Sequence, residues 1–200
     1  GVNPSPIVRL HGGIPGLAYG GVRGITRLAG NGIEQLLRWL PAASADPSRI
    51  PQREAFIAAL NGVLGDHLQA TENPLALAAR LRMAGRALVL DRAALAASQS
   101  GAGPRLLVMV HGLCMNDLQW QQGGHHHGDR LADELGFEVI HLHYNSGVSI
   151  AANGREFSTL LQQLLDTWPV PVERIAIVAH SMGGLVSRAA IATAQADGSP

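Results

Sequence analysis

The second half of the chain alternates three apolar, strand-like runs with three segments of helical spacing. The runs are RLLVMVHG, FEVIHLHYNSG and RIAIVAH, of which the first is typical of a strand covered on both faces. The helical segments are GDRLADELG, closed by Gly136, then NGREFSTLLQQLLDTWP, with Asn153 and Glu156 at capping-box positions, and a third that starts at Ser181. This order predicts an open, mostly parallel α/β sheet with helices on both faces.

The first half shows mainly helical spacing, and the seam lies near Ser98–Arg105. Three helices are predicted, within NGIEQLLRWLP, REAFIAALNGVLGDHL and TENPLALAARLRMAG, the last with Pro74 in its first turn. RALVLDRAAL is ambiguous and is compatible with an irregular strand. We therefore expect a helical N-terminal segment over residues 1–100, as a lid or partner surface, and the N-terminal part of an α/β domain over residues 101–200.

Composition narrows the class of partner. The chain has 15 basic and 15 acidic side chains and only 4% aromatic residues, which argues against a nucleic-acid surface. A single cysteine, Cys114, excludes an internal disulfide framework. No apolar run is long enough to span a bilayer, and a leader before Gly1 is compatible with the missing initiator methionine. The compartment stays open, with a slight preference for the cytoplasm.

Ser181 stands where the third strand passes into a helix, in the pentapeptide AHSMG. This is the G-x-S-x-G elbow pattern with Ala179 in the place of the first glycine. Small residues are needed two before and two after the serine because strand and helix cross closely there. The N–H of Met182 would lie at a helix N-terminus, suited to stabilising an oxyanion. The alternative is a serine that only caps the helix.

A second element, His111-Gly112, closes the first strand. Glycine allows the chain to turn, and the N–H of Leu113 can point at the same oxyanion as that of Met182. Taken alone, the dipeptide is also compatible with an ordinary strand-ending turn. Both elements in this order, with a strand and two helices between them, are more specific than either one.

These two motifs resemble the α/β-hydrolase superfamily, in particular lipase-like esterases with HG after one strand and HSMGG after a later one. The alanine-first elbow is similar to that of some small bacterial lipases, and the region Arg105–Ala196 also resembles the GPI inositol-deacylase-like group. The resemblance implies Ser181 as nucleophile and Leu113 and Met182 as oxyanion donors. It implies a serine esterase that works without a metal or an organic cofactor.

The rest of the catalytic machinery is not visible in the sequence. In this superfamily an Asp or Glu and then a His follow the serine, but after Ser181 the chain has one carboxylate, Asp197, and no histidine. We expect the acid and the histidine beyond residue 200, in a longer protein, so that the fold here is incomplete at its C-terminus. His111 and His143 end strands on the same edge, but neither has an obvious carboxylate partner.

Several residues at the strand ends are candidates for the pocket wall: His111, Cys114, Tyr144, Asn145 and His180. For Tyr144 and Asn145 a plain polar turn is an equal alternative. The run His125–His127 invites a metal site, but no second set of ligands stands at suitable spacing, which favours a solvated or pocket-rim cluster.

The expected activity is hydrolysis of a small-molecule or lipid ester through an acyl-enzyme on Ser181. Glycines at every fourth position from Gly12 to Gly24 favour close packing; a surface-seeking segment in peripheral contact with a membrane or lipid is the minority alternative. A non-catalytic hydrolase-like module for binding or assembly is the main rival. An amidase or an acyltransferase would share the same serine.

Overall fold

A computed structural model describes residues 50–122 and 125–198. The helix predicted around Ile33–Leu40 and the glycine series from Gly12 to Gly24 lie outside these residues.

Helices and strands alternate over most of the described chain. In order they are α1 Ile50–Ala70, β1 Arg80–Met83, β2 Arg86–Ala87, α2 Arg92–Ser98, β3 Arg105–Val110, a 3₁₀ turn Asp117–Trp120, β4 Gln121–Gln122, β5 His125–His126, α3 His127–Leu135, β6 Glu138–His143, α4 Ile150–Thr167, β7 Arg174–Ala179 and α5 Met182–Ala196.

The main sheet has the strand order β2-β1-β6-β3-β7. Strands β6, β3 and β7 are parallel, and β1 joins β6 in the antiparallel sense with β2 as its hairpin partner. Val110 pairs with Leu142 on one side and with Ala179 on the other, so the three parallel strands end at one edge. The α/β prediction is confirmed. The boundary at residue 100 stays a prediction, although β1 and β2, which precede it, extend the same sheet.

The main core lies between the sheet and helices α4 and α5. Alternate residues of β3 and β6 supply one side and the two helices the other; the buried members include Leu106, Val108, Val110, Ile140, Leu142, Phe157, Leu164, Trp168, Val186 and Ala190. The helices approach closely at Gly154, where a Cβ would collide with Ala189. This packing holds α5, and with it the residue that precedes the helix, against the end of β3.

The helix predicted in TENPLALAARLRMAG is wrong. Asn73 and Pro74 form a turn in which the Asn73 side chain accepts a hydrogen bond from Leu75 N at 2.9 Å, and the following residues continue into β1. Leu81 is buried in the main core, and its strand pairs with the free side of β6. Tertiary burial therefore overrides the local helical spacing.

Two boundaries also differ from expectation. In RALVLDRAAL only Arg86–Ala87 is a strand, and Asp91 caps α2 by accepting a hydrogen bond from Ala94 N. Helix α4 begins before the predicted capping box, because Ser149 caps it by accepting from Ala152 N. The capping role assigned to Asn153 is wrong: its buried side chain donates to the carbonyl oxygens of Asn145 and Val148.

Candidate active site

Ser181 occupies a strained turn between β7 and α5. Its φ of 51° and ψ of −122° lie in a region that L-residues seldom adopt, at a cost of about 1–3 kcal/mol. The serine hydroxyl makes no capping hydrogen bond to α5, and the residue is exposed. The local conformation thus matches a strained strand-to-helix elbow rather than a side-chain helix cap.

Glycine is required two residues after the serine. A Cβ at Gly183 would come within 2.6 Å of the carbonyl oxygens of Val110 and His111. The turn is closed by hydrogen bonds from Gly183 N to His180 O at 2.9 Å and from Gly184 N to Ser181 O at 3.0 Å. Helix α5 therefore begins against the end of β3, as the spacing of small residues predicts.

The loop after β3 lies directly beside the elbow. A Cβ added to Gly112 would be 3.2 Å from Ser181 Cβ and 2.9 Å from His180 Nδ1. His180 is exposed, and its backbone N–H donates to Val110 O at 2.9 Å, which joins the end of β7 to the end of β3. Met182 is the first residue of α5, where a helix leaves backbone N–H groups without internal acceptors. Leu113 follows Gly112 and is half exposed.

His111 is fully buried behind this loop. Its Nδ1 lies 2.9 Å from Gly112 O, and since a carbonyl only accepts, the ring donates its N–H. Burial lowers the pKa of His111 to about 4. The Tyr144 ring stacks on the imidazole at 4.4 Å between centroids, and its hydroxyl donates to His111 O at 2.8 Å. At neutral pH His111 is therefore an uncharged, fixed hydrogen-bond donor.

A buried charge network lies at the end of β6. Asp117 Oδ1 is 2.8 Å from Arg82 Nη1 and 3.2 Å from His143 Nδ1, and Arg82 also pairs with Glu54 at 2.9 Å. Burial raises the pKa of Asp117, but the hydrogen bond from His143 and the charge of Arg82 outweigh it and bring the pKa to about 2. The sequence shows no obvious carboxylate partner for His143, and that expectation is wrong, because Asp117 is its partner in the structure.

This histidine–carboxylate pair does not reach the serine. His143 is the last residue of β6, whereas Ser181 follows β7, and β3 runs between the two strands. Two strand spacings amount to about 10 Å, beyond hydrogen-bond reach for a ring already bound to Asp117. The pair instead anchors the loop after β3 to β6 and β1.

The other pocket candidates are buried contacts between α1 and the strand ends. Cys114, with φ 59°, donates its N–H to Ser146 Oγ at 3.0 Å, and a Cβ at Gly62 of α1 would come within 2.9 Å of Cys114 Cα. Asn145 Nδ2 donates to Gly65 O of α1 at 3.0 Å. Together with Tyr144 and His111, these residues hold the loops and α1 in place.

Two cavities border the charge network and not Ser181. The larger, about 540 Å³, lies beside α3 and β6 and is lined by residues that include Asp117, Phe137 and His141. The smaller, about 180 Å³, is lined on the other side of the network by residues that include Arg53, Arg80 and His143.

Within residues 50–122 and 125–198 no three His, Cys, Asp or Glu side chains are grouped to hold a metal ion. The side chains of His125 and His126 lie outside the description. In the same part of the chain, no helix has both the length and the apolar character needed to cross a bilayer.

Comparison with known families bears on the second half of the chain. No curated protein and no solved structure matches the sequence. Residues 101–199 match the model of the family described as "Putative serine esterase (DUF676)". The match begins just before β3 and covers both the loop at Gly112 and the turn at Ser181. It confirms that this half of the chain resembles the lipase-like α/β-hydrolases and supports a hydrolase role.

Proposed function

We propose that the chain carries the nucleophile and the oxyanion hole of a serine hydrolase that cleaves carboxylic esters. The observation that carries the proposal is the strained, exposed Ser181 with Gly112 against its Cβ. A serine held in this way presents its hydroxyl at the carboxyl edge of the sheet, where ligands bind in open α/β folds. The esterase family match of residues 101–199 supports the same chemistry.

In the proposed reaction Ser181 Oγ attacks the ester carbonyl carbon and passes its proton to a base. The backbone N–H groups of Leu113 and Met182 stabilise the negative charge that forms on the carbonyl oxygen. The C–O bond of the ester then breaks, and the alcohol leaves with the proton. Water attacks the acyl-enzyme in the same manner and releases the acid, so that the cycle needs no metal or organic cofactor.

The base comes from outside the described residues. Among those residues the Ser181 side chain makes no hydrogen bond to cap α5, and His143 is bound to Asp117. Following the superfamily order, we propose that a carboxylate and a histidine encoded after residue 200 complete the triad.

The surroundings of the serine favour an ester with an apolar part. Leu113 beside Gly112 is 49% exposed, and Leu185 in the first turn of α5 is 53% exposed. Exposed leucines on the two segments that adjoin the nucleophile, the Gly112 loop and α5, suit an acyl or alkyl chain, including that of a lipid. We therefore propose small apolar or lipid-like esters as the substrate class.

The test is hydrolysis of p-nitrophenyl esters of increasing acyl length by the full-length gene product, with Ser181→Ala and Ser98→Ala beside it. Ser98 lies at the end of α2, so its removal serves as the matched serine control. We expect hydrolysis that Ser181→Ala abolishes, Ser98→Ala retains, and longer chains accelerate. Matched amides and added acceptor alcohols distinguish an amidase or an acyltransferase. Activity that survives Ser181→Ala would overturn the proposal.

A further inference from the structure

The peptide group between Gly112 and Leu113 has its carbonyl held from within the protein. His111 Nδ1 donates to Gly112 O at 2.9 Å, and Met115 N donates to the same oxygen at the longer distance of 3.3 Å. This peptide is trans, so its N–H points opposite to its C=O. A carbonyl fixed toward the buried imidazole therefore turns the N–H of Leu113 away from the core.

The imidazole itself is held rigidly. The ring is completely buried and stacks on that of Tyr144. The Tyr144 hydroxyl also donates a hydrogen bond to the backbone carbonyl oxygen of His111. With Nδ1 carrying the proton, Nε2 of the neutral ring is an acceptor, and no described residue offers it a donor. The bond to Gly112 O is thus the one hydrogen bond that the His111 ring makes within the described residues.

We infer that His111 is a positioning residue for the oxyanion hole: its Nδ1–H bond to Gly112 O aims the N–H of Leu113 at the space beside Ser181. The inference rests on the proposed role of Ser181 as nucleophile. It assigns to the histidine of the His-Gly dipeptide an action through the backbone, without contact with the substrate. A preorganised N–H of this kind stabilises charge that develops only in the transition state, so it acts on kcat more than on KM.

Two substitutions of His111 form a matched pair that differs in the hydrogen-bond donor. His111→Asn places an amide nitrogen at the same distance along the side chain as Nδ1 and keeps a donor. His111→Leu has the same branching and size as asparagine but no donor, so both variants leave the same space where the ring was. We expect His111→Leu to lower kcat for ester hydrolysis by about 10- to 100-fold with little change in KM. His111→Asn should recover most of that loss.

Equal losses of kcat in the two variants at equal thermal stability would overturn the inference, because the donor would then be irrelevant. A change in KM alone would overturn it as well. Both assays use the full-length gene product, and Ser181→Ala serves as the reference for complete loss.

A second measurement is independent of catalysis. Long-range ¹H–¹⁵N NMR spectra of the unmodified protein report which nitrogen of His111 carries the proton, and we expect Nδ1. Protonation at Nε2 would remove the donor and overturn the inference even in an active esterase. An Nδ1–H tautomer in a protein that hydrolyses no ester would instead contradict the proposed function while leaving the peptide orientation intact. The tautomer also decides the matter if His111→Leu does not fold.

Discussion

Gly112 and Ser181 lie so close that a single methyl group on the glycine would come within 3.2 Å of the serine Cβ. The two residues belong to different strand ends, β3 and β7, which are neighbours in the sheet and aligned from Arg105–Arg174 to Val110–Ala179. This contact brings the two sequence motifs into one site.

Replacing Gly112 with alanine tests that contact. The new Cβ would lie 2.9 Å from His180 Nδ1 and 3.2 Å from Ser181 Cβ, so the loop and the elbow must separate slightly. Because small displacements of catalytic groups cost rate steeply, we expect kcat/KM for esters to fall by about 10- to 100-fold. Gly101→Ala is the matched control, since its Cβ meets no atom within 4 Å. Equal activity of the two variants would contradict the contact.

Adjacent glycines at the start of α5 are predicted to respond in opposite directions. A Cβ at Gly183 would meet the backbone oxygens of Val110 and His111 at 2.6 Å, and backbone gives way poorly, so Gly183→Ala should destabilise the fold by about 1–3 kcal/mol or more. A Cβ at Gly184 would meet no atom within 4 Å, and the residue lies in the helix. Gly184→Ala should therefore stabilise the fold by about 0.5–1 kcal/mol. Urea unfolding of both variants measures the difference, and the same sign for both would refute the close crossing.

The Asp117 network is predicted to make stability depend on acid pH. The folded-state pKa of Asp117 is about 2, below its ordinary value of 3.8, so its contribution is present above pH 4 and is lost as the pH falls toward 2. This difference in pKa between the folded and unfolded states corresponds to about 2–3 kcal/mol of folding free energy. Asp117→Asn should lower stability at neutral pH and flatten the profile between pH 4 and 2.

Asp91→Asn is the control for that profile, because asparagine also caps a helix and Asp91 serves α2 alone. Between pH 4 and 2 the free energy of unfolding should depend less on pH in Asp117→Asn than in Asp91→Asn. Equal pH dependence in the two variants would show that the ion pairs with Arg82 and His143 contribute none and that the assignment is wrong.

Two substitutions at the start of α4 distinguish the observed helix cap, Ser149, from the capping box that the sequence pattern predicts. Ser149 accepts a hydrogen bond from Ala152 N at 3.2 Å, so Ser149→Ala should cost about 1 kcal/mol of stability. Glu156, the partner in the expected capping box, is exposed, and Glu156→Ala should change stability by less than about 0.5 kcal/mol. Thermal unfolding measures the stability of the two variants. A larger loss of stability in Glu156→Ala than in Ser149→Ala would favour the capping box over the Ser149 cap.

The sequence predicts the parallel strands well because their signal is local. β3, β6 and β7 are apolar runs, and α3, α4 and α5 follow them with helical spacing. β1 was missed because its evidence is not local: Leu81 is recognised as a strand residue only when it packs into the core and pairs across to Leu142. The order of neighbouring residues alone favoured a helix there.

The same distinction separates the parts of the site. Ser181 and Gly112 could be proposed from the sequence because each stands at a fixed spacing from the end of an apolar run. The network could not, since Arg82 meets Asp117 across 35 residues and His143 across 61, with one member in a misassigned segment. Asn145 and Tyr144 were located at the correct edge, but the directions of their side chains depend on α1 and on His111.

The most direct measurement of the central claim is active-site labelling of the full-length gene product with a fluorophosphonate, followed by peptide mass spectrometry. The account predicts one stoichiometric adduct on Ser181, absent from Ser181→Ala and preserved in Ser98→Ala. A folded protein that takes no label, with detergent present to expose the site, would contradict the esterase and favour a non-catalytic module; an adduct on another residue would contradict the assignment of Ser181.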